Sequence, residues 1–133
     1  MIYDKYKEDA IYSMTPVELL LLLYDECMKD LRKADIALQD EDNTAFEEYV
    51  GKALKIIRYL IKTLDMSIPI SKDIRRLYDY LVYDLSKIRA GGNRKADEIP
   101  KLIDIIQNLR DGFEGASMQV KDEHIVQAAS VVG

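Results

Sequence analysis

One histidine and one cysteine bound the chemistry that this chain of 133 residues can perform. A structural zinc site takes about four Cys or His ligands. Cys27 and His124 lie far apart in the sequence, which argues against one. A di-iron site in a helical bundle needs Glu-x-x-His pairs on facing helices, and a single histidine does not supply them. A Ser-His-Asp or Cys-His nucleophile would have to recruit His124, near the end of the chain and beyond the last strong helical pattern. No glycine-rich phosphate loop occurs, and Gly91-Gly92 reads as a turn signal. Cys27 falls on the apolar face of a helical pattern, the usual place of a packed core thiol. A lone cysteine forms no internal disulfide, which suits a reducing cytoplasm. The residues therefore predict no catalytic group, no metal and no cofactor.

What remains is a chain that works by shape and surface. Its length suits one domain with its own core. Apolar residues are 48% and charged residues 32%, a globular mixture. Lys plus Arg is 19 and Asp plus Glu is 24, giving a net charge of −5. A mildly acidic chain without a basic run argues against a nucleic-acid partner, since that binding is driven by clustered Lys and Arg. The N-terminus, Met-Ile-Tyr-Asp-Lys-Tyr-Lys-Glu-Asp, is charged and unlike a secretory signal. The longest apolar run, Leu19 to Tyr24, is far short of the ~20 residues that span a bilayer. No membrane insertion is expected, and the predicted location is the cytoplasm.

Four segments carry helical periodicity. Thr15-Pro16-Val17-Glu18 reads as a capping box with Pro at the first helical position, the glutamate reaching back to Thr15. Leu20, Leu23, Tyr24, Cys27, Leu31, Ala34 and Leu38 then share one stripe, which ends near Asp40 to Asn43. The second segment spans about Thr44 to Asp65, with Asp42 or Asn43 as its cap. Its stripe is Phe46, Val50, Ala53, Ile57, Leu60 and Leu64. Pro69 and Ser71 mark the third, about Lys72 to Ala90, with Ile74, Leu77, Tyr78, Leu81, Leu85 and Ile88. Gly91-Gly92-Asn93 stops it. The fourth starts at Asp97 or Ile99 and reaches Glu114, with Leu102, Ile103, Ile106, Leu109 and Phe113 and with Pro100 in its first turn. Short connections make sequential helices antiparallel. The expected fold is all-α, an up-down-up-down four-helix bundle over residues 15–115. Residues 1–14 are polar with spaced aromatics. Residues 116–133 are weakly patterned, a short helix or disorder.

A bundle helix needs one apolar stripe, and these helices have more. Leu19 and Leu22 lie well off the first stripe. Leu54, Ile56, Tyr59 and Ile61 fall at the flanks or back of the second. Tyr80, Val82 and Tyr83 surround the third, with Tyr83 nearly opposite its core side, and Ile105 flanks the fourth. Each alone is ordinary scaffold. As a set they predict outward apolar lines that form grooves for amphipathic partner helices. A homodimer burying the same lines is the rival reading. Asp40-Glu41-Asp42 and Arg75-Arg76 read as solvated faces.

The pattern from Tyr3 to about Phe113 resembles the flagellar secretion chaperone (FliS) family. The likeness rests on Tyr3-Asp-Lys-Tyr6-Lys-Glu-Asp, Thr15-Pro-Val-Glu-Leu-Leu20 with Leu23-Tyr24-Asp25, Ala53-Leu-Lys-Ile56-Ile57, Thr63-Leu-Asp-Met66, Leu77-Tyr-Asp-Tyr-Leu81 and Leu109-Arg-Asp-Gly-Phe113. The resemblance implies a bundle without enzymatic activity that binds the C-terminal segment of flagellin. That segment would become helical on wrapping the bundle, which would prevent premature polymerisation and aid secretion. It implies an N-terminal cap segment over residues 1–14, occupying a hydrophobic groove until the client arrives. Tyr3 and Tyr6 belong to that cap, and Ile11 and Tyr12 join the partner-binding set. Leu22, Leu54, Ile56, Tyr59, Ile61, Tyr80, Tyr83 and Ile105 complete the set. A contact with the flagellar export machinery stays open, as does a different client. Two stretches depart from the family pattern. Ser67-Ile-Pro-Ile-Ser71 replaces a Gly-Gly-Glu stretch, and Phe113 and Gly91-Gly92-Asn93 replace a common Trp and a helix-compatible connection. The corner between the second and third helices is therefore expected to differ.

Overall fold

The first helix starts where the capping signal lies. In a computed structural model describing residues 13–91 and 98–117, helix α1 runs Pro16–Gln39. The Thr15 hydroxyl oxygen accepts from the Glu18 backbone N–H at 3.2 Å, which satisfies one orphan donor of the first turn. The return bond differs from the capping-box expectation. Thr15 Oγ1 donates to Glu18 Oε1 at 3.0 Å, so side chain meets side chain. Helix α2 is Asn43–Lys62, and Asp42 is the residue that caps it, accepting from Ala45 N at 3.1 Å. Helix α3 is Ser71–Arg89 and helix α4 is Glu98–Ser117. Asp97, one of the two expected starts, lies outside the described residues, as do the N-terminal segment and the C-terminal tail.

The connections follow from local chemistry. Between α1 and α2 the chain turns at Glu41, with φ 57°, a left-handed conformation uncommon outside glycine and asparagine. After α3, Gly91 takes φ 93°, where glycine has no Cβ penalty. Helix α2 ends at Lys62, short of the expected Asp65. Thr63 turns its hydroxyl back onto the Tyr59 carbonyl at 3.0 Å and competes with the next helical bond. The corner then folds without a glycine. Asp65 Oδ1 accepts from Ser67 N at 3.0 Å and from Ser67 Oγ at 2.6 Å. Successive tight turns carry the chain into α3, through Ile68 N to Asp65 O and Ser71 N to Ile68 O. No residue of the corner needs a positive φ.

The described residues form helices and no strand. Helix α1 packs closely against α2 and α4, and α2 packs against α3. The order around the ring is therefore α3, α2, α1, α4, the antiparallel bundle expected. The seam between α3 and α4 is not among the closely packed pairs. Phe46, Val50, Leu31, Ala34, Leu85 and Leu102 are all fully buried in the core. Near one end, Tyr24 of α1, Tyr78 of α3 and Phe113 of α4 form a layer. The two hydroxyls hydrogen-bond at 2.5 Å, and the Tyr24 and Phe113 rings stack with centroids 6.0 Å apart. Phe113 is thus a core ring, 7% exposed.

Two polar contacts fix which way α3 and α4 face. Arg110 of α4 grips Asp25 of α1 bidentately, Nε to Oδ1 at 2.6 Å and Nη2 to Oδ2 at 3.2 Å. Its Nη1 reaches Glu114 at 3.1 Å. Arg89, at the end of α3, donates from Nε to the Glu47 carbonyl of α2 at 2.9 Å. Gly51 makes room for that guanidinium, since a Cβ there would sit 3.0 Å from Arg89 Nη2.

Candidate interaction surface

The interior is chemically closed. Cys27 is buried, and its Sγ lies 3.8 Å from the Ala53 carbonyl oxygen, to which it donates. Burial, and then the charge of Asp30, push the thiol up to about 12, so it stays protonated and is no nucleophile near neutral pH. Burial likewise raises the phenols of Tyr24 and Tyr78 above the ordinary range. Among the described residues no group of His, Cys, Asp and Glu is placed to hold a metal ion. No helix among them is long and apolar enough to cross a membrane.

The outer surface carries what the interior does not use. Tyr83 is 67% exposed and Tyr80 48%. Ile36, Met66, Ile70 and Leu77 are exposed too. Desolvation of this many large apolar groups is favourable by roughly 25 cal/mol per Å² buried, so the surface is a store of association free energy.

The expected partner-binding residues divide into groups. Tyr80 and Tyr83 stand on the outside of α3. Leu22 is half-buried. Ile56, Ile61 and Ile105 are half-buried and pack against the core. Tyr59 is half-buried, and desolvation raises its phenol above the ordinary range. Leu54 departs from expectation. It is 3% exposed, a core residue with no surface to offer. The reason is the position of α2. Flanked by both α1 and α3, it buries an arc wider than one stripe. Tyr3, Tyr6, Ile11 and Tyr12 lie outside the described residues.

Leu77 departs the other way. The periodicity of α3 places it on the core stripe, yet it is 39% exposed. Its flank of α3 faces away from α2, the helix against which α3 packs closely. Ile36, Met66 and Ile70 were not singled out from sequence. Ile70 and Leu77 are seven residues apart, so a search for apolar lines at that spacing would have found them. Met66 sits in the corner between helices, where periodicity gives no signal.

The family described as flagellar protein FliS matches residues 1–120. The chain belongs to the FliS family. Two curated relatives bear the name flagellar secretion chaperone FliS. The Bacillus subtilis (strain 168) protein is 29% identical over 123 residues, covering 92% of this chain and 91% of its own. The Salmonella typhimurium (strain LT2) protein is 27% identical over 113 residues, covering 83% and 82%. A bacterial flagellar chaperone known from its crystal structure has the same fold, with a TM-score of 0.73 at 21% identity over 90% of this chain and 97% of that one. FliS is a family of chaperones and not of enzymes. That accords with an interior whose thiol and phenols are locked in packing and an exterior rich in exposed tyrosine and aliphatic side chains.

Proposed function

We propose that this FliS chain is a cytoplasmic export chaperone that binds the C-terminal segment of flagellin on its apolar outer surface. Holding that segment would prevent premature polymerisation and keep the client ready for secretion, with the export machinery as a further contact. The observation that carries the reading is the exposed apolar set Ile70, at the entry to α3, and Leu77, Tyr80 and Tyr83 on it. A segment that folds as it binds loses conformational entropy and needs a large apolar contact to offset it. Tyrosines provide wide contact at little rotamer cost. The half-buried Leu22, Ile56, Tyr59, Ile61 and Ile105 would extend the contact along neighbouring helices. Residues 1–14, with Tyr3, Tyr6, Ile11 and Tyr12, would act as a cap that competes with the client and lowers its apparent affinity by the cap's own docking free energy.

The test is titration calorimetry of the intact chain with a flagellin C-terminal peptide, followed by circular dichroism of the complex. Binding at micromolar concentration or tighter is expected, with helix content above the sum of the parts. No binding would sink the client assignment. A second reading, a homodimer, is favoured by the same exposure of Leu77, Tyr80 and Tyr83. Sedimentation at low concentration separates the two, because a chaperone awaiting its client is monomeric there and a dimer is not.

A further inference from the structure

Three large apolar side chains are exposed at one end of the bundle. Ile70, which leads into α3, is 53% exposed, Leu77 39% and Met66, in the corner just before, 43%. Ile70 and Leu77 are seven residues apart, which brings them within about 20° of each other around the helix. They form one line along α3.

Helix α4 ends beside this line. Phe113 stacks on Tyr24, and Tyr24 bonds to Tyr78, so Phe113 and Tyr78 lie at about one level. From Phe113 the antiparallel α4 runs on to Ser117, about 6 Å at the usual rise, toward the start of α3. It stops about level with Ile74, between Leu77 and Ile70. In the ring order α3, α2, α1, α4, the end of α4 is next to α3, whereas the start of α1 stands diagonally across.

The chain continues from Ser117 to Gly133. Its apolar residues gather in Ile125-Val126-Gln-Ala-Ala-Ser-Val131-Val132. Residues 118–124 separate Ser117 from Ile125 and span up to about 23 Å when extended, enough to reach Ile70 or Leu77. Charge agrees with that destination. Asp122 and Glu123 directly precede the apolar run. Lys72 and Arg76 are exposed in the first turns of α3, and Arg76 pairs loosely with Asp73 at 3.6 Å, both side chains largely in water.

We propose that Ile125 to Val132 dock on Met66, Ile70 and Leu77 of the same chain, with Asp122 and Glu123 toward Lys72 and Arg76. Removing apolar surface from water drives the contact. Tethering to α4 gives the segment a local concentration in roughly the millimolar range, so a contact too weak to hold a free peptide is populated within the chain. Any partner of this patch has to displace the segment. The contact does not depend on the chaperone reading.

The test is methyl NMR of the dilute full chain. Nuclear Overhauser contacts are expected from the Ile70 and Leu77 methyls to those of Ile125 and Val126. In an Ile125→Asp, Val126→Asp variant the Ile70 and Leu77 resonances should shift. In a Lys72→Glu, Arg76→Glu variant the contacts should weaken, and more so at low salt than at high salt. Unchanged Ile70 and Leu77 shifts in the first variant overturn the proposal. So do contacts from the Tyr6 or Tyr12 rings in place of Ile125 and Val126, or contacts that an isotope-filtered mixture assigns to a second copy.

Discussion

Tyr78→Ala is expected to destabilise the bundle by about 4–5 kcal/mol. Tyr78 is 1% exposed and spans the core from α3 to α1. Truncating a large buried ring costs about 3–5 kcal/mol through lost burial and the cavity left behind. It also strands the Tyr24 hydroxyl, since the two hydroxyls bond to each other at 2.5 Å. An unpaired buried hydroxyl costs about 1–3 kcal/mol more, some of it recovered as the site relaxes. Domains of this size are stable by only about 5–15 kcal/mol, so the variant would be close to unfolding at 37 °C. Urea unfolding followed by circular dichroism measures it. The hydroxyl contribution separates in a double-mutant cycle. Tyr24→Phe and Tyr78→Phe should each cost about 1–2 kcal/mol, and the pair together less than the sum, because neither phenol is then left facing an orphan. Tyr83→Ala, on the outside of the same helix, should change stability by less than about 0.5 kcal/mol. A Tyr78→Ala midpoint close to that of the parent would mean that this layer is not packed as described.

The second large effect is alkaline unfolding. Tyr24, Tyr78 and Cys27 all ionise at higher pH in the folded chain than their ordinary values of 10.0 for phenol and 9.0 for thiol, chiefly because burial disfavours the charged form. Each therefore keeps its proton in the folded state after the unfolded chain has released it. The stability they contribute is fully present below the unfolded values and is lost as pH rises toward the folded ones. Each group removes about 1.4 kcal/mol per pH unit within that window. Between pH 8 and pH 11 the three together should remove about 5 kcal/mol. Urea midpoints measured across that range should be level near pH 8 and fall steeply above pH 10. In the Tyr24→Phe, Tyr78→Phe double variant the slope above pH 10 should drop by about two protons per molecule.

Much of this fold is legible in the sequence because its signals are local. Thr15 and Pro16 start α1, Asp42 starts α2 and Gly91 follows the end of α3, each through a bond or a dihedral angle that the residue itself determines. The stripe residues Phe46, Val50, Ile57, Leu81, Leu85, Leu102 and Ile106 are buried because 3.6-residue periodicity gives each helix one inward face. The errors occur where the answer depends on neighbours. Leu54 is buried because α2 has a partner on each side. Leu77 is exposed because it lies on the flank of α3 turned away from its closely packed partner α2. Periodicity gives the centre of an apolar arc but not its width, and the width is set by which helices close on each other. The outward set was legible as a class, with Tyr80 and Tyr83 found directly. Its line through Ile70 needed the corner at Ser67 to Ser71, whose turns rest on Asp65 and not on glycine.

The central claim is that the outer apolar surface, and not the interior, carries the function. It is tested most directly by titrating a flagellin C-terminal peptide into the intact chain and into a Leu77→Asp, Tyr80→Ser double variant, with urea unfolding of both proteins alongside. Both side chains are exposed, so the unfolding midpoint should stay within about 0.5 kcal/mol of the parent. Loss of a central apolar anchor typically costs 2 kcal/mol or more, so affinity should fall by about thirtyfold or more. A variant that folds like the parent and binds the peptide equally well would contradict the account.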